Sequence, residues 1–216
     1  MILAMSIREV SRAIARCVDS KVGMLQSGYL ASRASSRASL ARLRRLDTAG
    51  EASWMSVGEE LFADLPNFSL GEETERKELE SVRAALQLYA ILQQSRKSPV
   101  ATFPTDGGNA GSFGNACRLY VAASNGDGES GVKRRLSSIE AATDFSGAMV
   151  GVRSLVRLIR TAKVKTPIQL DFGQLASDLF EIQFEDTRGD VFMRWARDFY
   201  KASPKQDGQD AKADRN

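Results

Sequence analysis

The stretch Ala148-Met149-Val150-Gly151-Val152-Arg153-Ser154-Leu155-Val156-Arg157-Leu158-Ile159-Arg160 decides the fold class. Its apolar residues Ala148, Val152, Leu155, Val156 and Ile159 recur at three- and four-residue steps, the spacing that lines one face of an α-helix. Each helical residue advances roughly 100°, so Arg153, Arg157 and Arg160 share an arc of about 60°. That arc lies about 110° around from the apolar stripe.

Outward from this stretch the same period returns. Toward the C-terminus, Pro167 ends the region and Asp171 is placed to cap a helix that turns Phe172, Leu175 and Leu179 inward. Asp190 is placed to cap a last helix with Val191, Trp195 and Phe199 on its buried face. Toward the N-terminus, Leu79, Val82, Leu86 and Tyr89 mark a long helix that begins in the acidic run Glu72–Glu80, where the positive end of the helix dipole favours acid. Ile7, Val10, Ile14 and Val18 mark another, and a short helix is expected around Ala116–Ala123, followed by the turn Asn125-Gly126-Asp127-Gly128. No segment alternates as a strand does, so the expected fold is all-α, in two small helical lobes with no sheet.

Pro104, Gly107, Gly108, Gly111 and Gly114 read as an exposed Gly-rich linker, 104–114, between an N-terminal lobe (1–103) and a C-terminal lobe (115–202). No Gly-Lys-Ser/Thr follows these glycines and no strand precedes them, which argues against a phosphate-binding loop. Residues 203–216 lack apolar periodicity and are expected to be a disordered tail.

The 216 residues contain no histidine. That removes Ser-His and Cys-His nucleophile pairs, His-ligated zinc and imidazole acid–base catalysis. Cys17 and Cys117 match no metal spacing and are expected as buried, reduced thiols. Neither a membrane span nor a signal peptide is evident, which points to a cytoplasmic protein; no cofactor and no metal are expected.

The formal net charge of +3 conceals strong segregation. Residues 1–46 carry nine basic and two acidic side chains, 47–80 two and ten, 81–170 twelve and five, and 171–216 seven and ten. Between Asp19 and Asp47 there is no acid, yet Lys21, Arg33, Arg37, Arg42, Arg44 and Arg45 occur there. On a helix over Ala31–Leu46, Arg33, Arg37 and Arg44 fall within about 40° of one another. Lys133, Arg134 and Arg135 precede the 148–160 stretch; Lys163 and Lys165 follow it. A guanidinium offers phosphate a planar fork of donors and a permanent charge. Rows of them release condensed counterions from a polyanion, giving salt-sensitive and largely sequence-independent binding. The competing reading of each row is a solvated helix face, which usually also carries Glu or Asp.

The candidate nucleic-acid contacts are therefore Arg37, Arg44, Arg45, Lys133, Arg134, Arg135, Arg153, Arg157 and Arg160. Trp54, Trp195, Phe192, Phe199 and Tyr200 could stack on bases. Trp195 and Phe199 sit at core spacing, and Trp54 is expected to plug a gap between helices. A helical sequence-specific transcription regulator is the alternative, but it needs polar base-reading residues on a recognition helix. A carboxylate-dependent metal nuclease needs clustered acids, whereas Asp171, Asp178 and Asp190 fit caps or lobe contacts.

Seven motifs then fall in a specific order. They are Leu25-Gln26-Ser27-Gly28-Tyr29-Leu30; Ala41-Arg42-Leu43-Arg44-Arg45; Leu88-Tyr89-Ala90 with Gln93-Gln94; Ser112-Phe113-Gly114-Asn115-Ala116; Val132-Lys133-Arg134-Arg135-Leu136; Val152–Arg160; and Leu170-Asp171-Phe172 leading to Arg194-Trp195-Ala196-Arg197-Asp198-Phe199-Tyr200. Over about 22–200 this order resembles the CasB family, the small subunit of the type I-E CRISPR effector complex Cascade. The resemblance implies a two-lobed helical protein with no catalytic site. Its partners would be other Cascade subunits, a second copy of itself, CRISPR guide RNA, and the target and non-target DNA strands. It also implies that the subunit stabilises the RNA–DNA hybrid and displaced strand, gripping backbones while guide pairing reads sequence. The family's basic surface maps to Arg44, Arg45, Arg134, Arg135, Arg153 and Arg157. The sequence departs from the family at Leu92, where His is frequent, and at Asn115, where a basic residue is frequent.

Overall fold

Ser6 opens the first helix. Its hydroxyl accepts from the Glu9 amide at 3.3 Å while the Glu9 carboxylate accepts from the Ser6 amide at 2.8 Å, a reciprocal capping box. The computed structural model describes residues 6–46, 55, 57–65, 71–103 and 111–201. Among these residues there are nine α-helices: α1 (Ile7–Leu30), α2 (Ala34–Arg44), α3 (Gly58–Phe62), α4 (Glu72–Gln93), α5 (Phe113–Ala123), α6 (Glu129–Glu140), α7 (Phe145–Thr161), α8 (Phe172–Glu181) and α9 (Glu185–Tyr200). The described residues contain no sheet, only a single parallel bridge between Ala101 and Leu170. The all-α expectation holds.

Packing gathers α1, α2, α3 and α4 with α8, and α5, α6 and α7 with α9; α4 against α7 and α8 against α9 join the two groups. One apolar cluster runs through both, from Val10 and Ile14 to Trp195 and Phe199. Residues 104–114 precede α8 in sequence, yet α8 packs on α1 and α4, which lie before them. The physical reason is visible in its composition. Phe172, Leu175, Ala176, Leu179 and Phe180 form a wide apolar face, and every α8 residue except Gln174 is buried, so α8 must be enclosed by α1 and α4.

Two helix starts also differ from expectation. Gly114 lies inside α5, where a Cβ would stand 2.1 Å from the Trp195 carbonyl oxygen. The glycine is there to let α5 approach α9, not to loosen a linker. Asp190 lies inside α9, which starts at Glu185, and it pairs with Arg8 at 3.1 Å instead of capping. Residues 104–110 of the expected linker, Trp54 and the 203–216 tail lie outside the described residues.

Two glutamines hold the crossing segments. Gln26 on α1 accepts from the Val100 and Ala101 amides at 3.0 and 2.9 Å and donates to the Ala101 carbonyl at 3.3 Å. Gln93, fully buried at the end of α4, donates to the carbonyls of Arg96 and Ser98, both at 3.1 Å. The second of these shapes the loop on which the candidate site depends.

Candidate nucleic-acid interface

Arg37, Arg44 and Arg45 project from α2 and its C-terminus, Arg160 from the last turn of α7, and Arg96 and Lys97 from the loop after α4. The fold brings them together. The Arg96 guanidinium donates to the Arg160 carbonyl. Partial burial holds the Arg44 pKa below its ordinary value; the charges of Arg160 and Arg45 act in the same sense, with Tyr29 opposing. Burial and then the charge of Arg160 do the same to Arg96. Cations close enough to act on one another in this way are cations whose fields add outside the surface. Arg37, Arg96 and Lys97 also line a cleft of about 390 Å³ with Tyr29, Ser32 and Ser95, and among the described residues no acid lines it. Ser32 and Ser95 both adopt left-handed backbone (φ 62° and 63°).

The other α2 and α7 cations go elsewhere. Arg42 is paired with Glu60 of α3. Arg153 donates to Gln87 on α4 at 3.3 Å and lines a separate groove of about 870 Å³, where Arg83 and Arg188 stand among Glu80, Asp144 and Glu185. Arg157 is exposed between the two. The Arg153/Arg157/Arg160 row thus divides along its length, its C-terminal end joining α2 and its N-terminal end leaning on α4.

On α6, Arg134 is exposed. Arg135 donates to Ser154 of α7 at 3.1 Å and to the Gly131 carbonyl at 3.0 Å. Lys133 pairs with Glu129 at 2.7 Å and stands 5.3 Å from the centroid of the Tyr200 ring. The nine expected residues therefore occupy two places: Arg37, Arg44, Arg45 and Arg160 around the cleft, and Lys133, Arg134 and Arg135 on α6, with Arg153 and Arg157 on α7 between them.

Arg96 and Lys97 were missed by the sequence reading. A signal for them existed, since no acid occurs between Glu80 and Asp106 and Ser95-Arg96-Lys97-Ser98 directly follows the apolar face of α4.

The acidic candidates are structural. Asp171 accepts from the Gln174 amide at 2.7 Å and caps α8. Asp178 is 2% exposed and accepts from Arg194 at 2.7 Å, from the Trp195 indole at 2.6 Å and from Gln174 at 2.8 Å. Burial raises its pKa against those three partners. Trp195 and Phe199 are buried core residues, and Leu92 is buried as well. Asn115 turns its side-chain oxygen to Arg118 on its own helix at 2.7 Å. Cys17 and Cys117 are buried free thiols whose pKa values burial raises. Among the described residues no group of three or more potential metal-ligating His, Cys, Asp or Glu side chains occurs, and no helix is long and apolar enough to cross a membrane.

Residues 39–200 match the family model of CRISPR-associated protein Cse2. The chain belongs to the Cse2 family. The crystal structure of CasB from Thermobifida fusca superposes with a TM-score of 0.71 at 28% sequence identity, covering 88% of this chain and 98% of that one. No curated protein sequence matches the chain. Membership of the Cse2 (CasB) family makes the chain a subunit of type I-E Cascade, acting in CRISPR defence, and its nine described helices follow the family's all-α architecture.

Proposed function

We propose that this Cse2-family chain is a non-catalytic small subunit of Cascade that grips nucleic acid backbone, stabilising the guide RNA–target DNA hybrid and the displaced non-target strand. The observation that carries this reading is the convergence of Arg37, Arg44, Arg96, Lys97 and Arg160, from three separate elements, around a cleft that no acid lines among the described residues. Permanently charged forks on a rigid helical frame suit phosphate oxygens spaced along a strand. Base reading would call for Asn, Gln or an arginine projecting from one helix into a groove, whereas these cations sit on a broad face formed by α2, the loop after α4 and the end of α7. In this reading a second copy of the chain and the other Cascade subunits extend the surface, and the protein works in the cytoplasm.

The test is made in the reconstituted complex. An Arg44→Ala/Arg160→Ala double variant is expected to shorten R-loop lifetime at least tenfold while the complex assembles and loads guide RNA normally. An unchanged R-loop lifetime overturns the proposal. Strict dependence on one duplex sequence by the chain alone would instead support a transcription regulator.

A further inference from the structure

Tyr200 closes α9 with 66% of its surface exposed, directly after the buried Phe199. Its ring and that of Phe199 meet edge to face, centroids 5.1 Å apart and planes at 88°, and the Lys133 ammonium stands 5.3 Å from its centroid. Beside the ring opens a cavity of about 170 Å³, floored by Phe192, Trp195 and Phe199 and edged by Lys133, Ser137 and Glu140. The floor is rigid. Phe192 and Trp195 pack edge to face at 5.5 Å, and the indole N–H is bonded to buried Asp178, so the ring cannot swing out.

The cavity is well below the roughly 300–1,000 Å³ typical of drug-sized ligand sites, so it suits one small ring system rather than a peptide segment. Its lining pairs an aromatic wall with a cation at the mouth, and Arg134, the next residue on α6, is exposed beyond it. Ser137 and Glu140 can accept hydrogen bonds from an amine on the edge of such a ring. Aromatic wall, phosphate-side cation and edge acceptor together match a nucleotide better than an aliphatic side chain.

We propose that this cavity between α6 and α9 is a single-nucleotide subsite in which a base of single-stranded nucleic acid stacks on Tyr200 while Lys133 and Arg134 hold its phosphates. The inference rests on the nucleic-acid reading above but concerns a place apart from the Arg37–Arg160 cleft. It assigns the α6 cations a task that backbone contact alone does not require: presenting the strand so that one base leaves the stack.

The full-length chain is titrated with fluorescently labelled oligodeoxycytidine and with an abasic phosphodiester strand of equal length. Tyr200→Ala is expected to weaken binding of the base-bearing strand about tenfold, equivalent to about 1.4 kcal/mol. The same change should leave abasic binding within about twofold, and Tyr200→Phe should keep wild-type affinity for both. An equal loss on both strands, or no loss on either, overturns the subsite. So does a Tyr200→Ala defect confined to assembly with other Cascade subunits, which would make the cavity a protein contact. Arg44→Ala/Arg160→Ala should weaken both strands alike. If it weakens neither, or if the unaltered chain binds neither, the nucleic-acid reading itself falls; if only the Tyr200 contrast fails, the subsite alone falls.

Discussion

Gly114 shows how one missing side chain sets the distance between two helices. Replacing a helical glycine by alanine ordinarily stabilises by about 1 kcal/mol. At Gly114 the added Cβ would meet the Trp195 backbone, with the carbonyl carbon and Cα both at 2.9 Å. Backbone cannot rotate aside as a side chain can, so α5 and α9 must part, and overpacking of that kind costs about 1–3 kcal/mol. Gly114→Ala is expected to lower Tm by roughly 2–8 °C. Gly189, also in a helix interior but with nothing within 4 Å of its Cβ position, supplies the contrast. Gly189→Ala is expected to raise Tm by a few degrees, by the ordinary propensity gain. Thermal melts of the two variants beside the parent chain check the pair, and equal shifts would contradict the close-approach argument.

At the scale of elements, the seam between α1 and α8 carries a pH dependence. Gly173 at the start of α8 lies so near α1 that its Cβ would stand 2.7 Å from the Ala15 carbonyl. Asp19 of α1 is half-buried there, facing Asp171 and the Gly173 amide. Burial, then the charge of Asp171, raises its pKa to about 7, with the Gly173 amide opposing. Glu78 on α4, 3% exposed, is likewise raised to about 7 by burial and then by Glu75. Both acids hold a proton in the folded chain at pH values where the unfolded chain, titrating near 4, has released it. The folded state then binds more protons, so stability falls as pH rises from about 4 to 7, and the loss is complete above that. Asp19→Asn and Glu78→Gln are expected to raise Tm at pH 8 by roughly 2–4 °C each, with little change at pH 4. Melting curves across that range decide it; a larger gain at low pH would reverse the sign and refute the account. The sequence disclosed the elements here but not this seam. Apolar periodicity placed α1, α4, α7 and α8 because burial of one face leaves a local trace in spacing. It could not disclose that α8 crosses back to α1, since partner choice depends on which surfaces remain uncovered. It also misplaced the starts of α5 and α9: Gly114 reads locally as a breaker, and its reason for being glycine lies about 80 residues away at Trp195.

For the whole molecule the decisive property is the summed field of cations gathered from distant sequence. The arginine rows of α2 and α7 were legible because acid is missing around them; their meeting was not, and neither was the capture of Arg42 by Glu60 or the turn of Arg153 toward Gln87. Which arginines remain for a polyanion is settled by packing, and it has a quantitative consequence. Each phosphate neutralised on a single strand contributes about 0.7 to the slope of log affinity against log salt. Removing two cations that both meet phosphate should therefore reduce the slope by about 1.4 and weaken affinity most at low salt. Arg44→Ala/Arg160→Ala is expected to do this, because both groups stand in the shared field around the cleft. Arg12 gives the control: it is exposed on α1, in a different groove, edged by Glu181 and Asp190. Arg12→Ala should leave the slope within about 0.3 of the unaltered value, less than half of one phosphate contact. Fluorescence-polarisation titrations of single-stranded DNA over a salt series measure all three slopes. Equal slopes for the double variant and the Arg12 control would mean that the chain attracts DNA through its net charge alone, with no localised face.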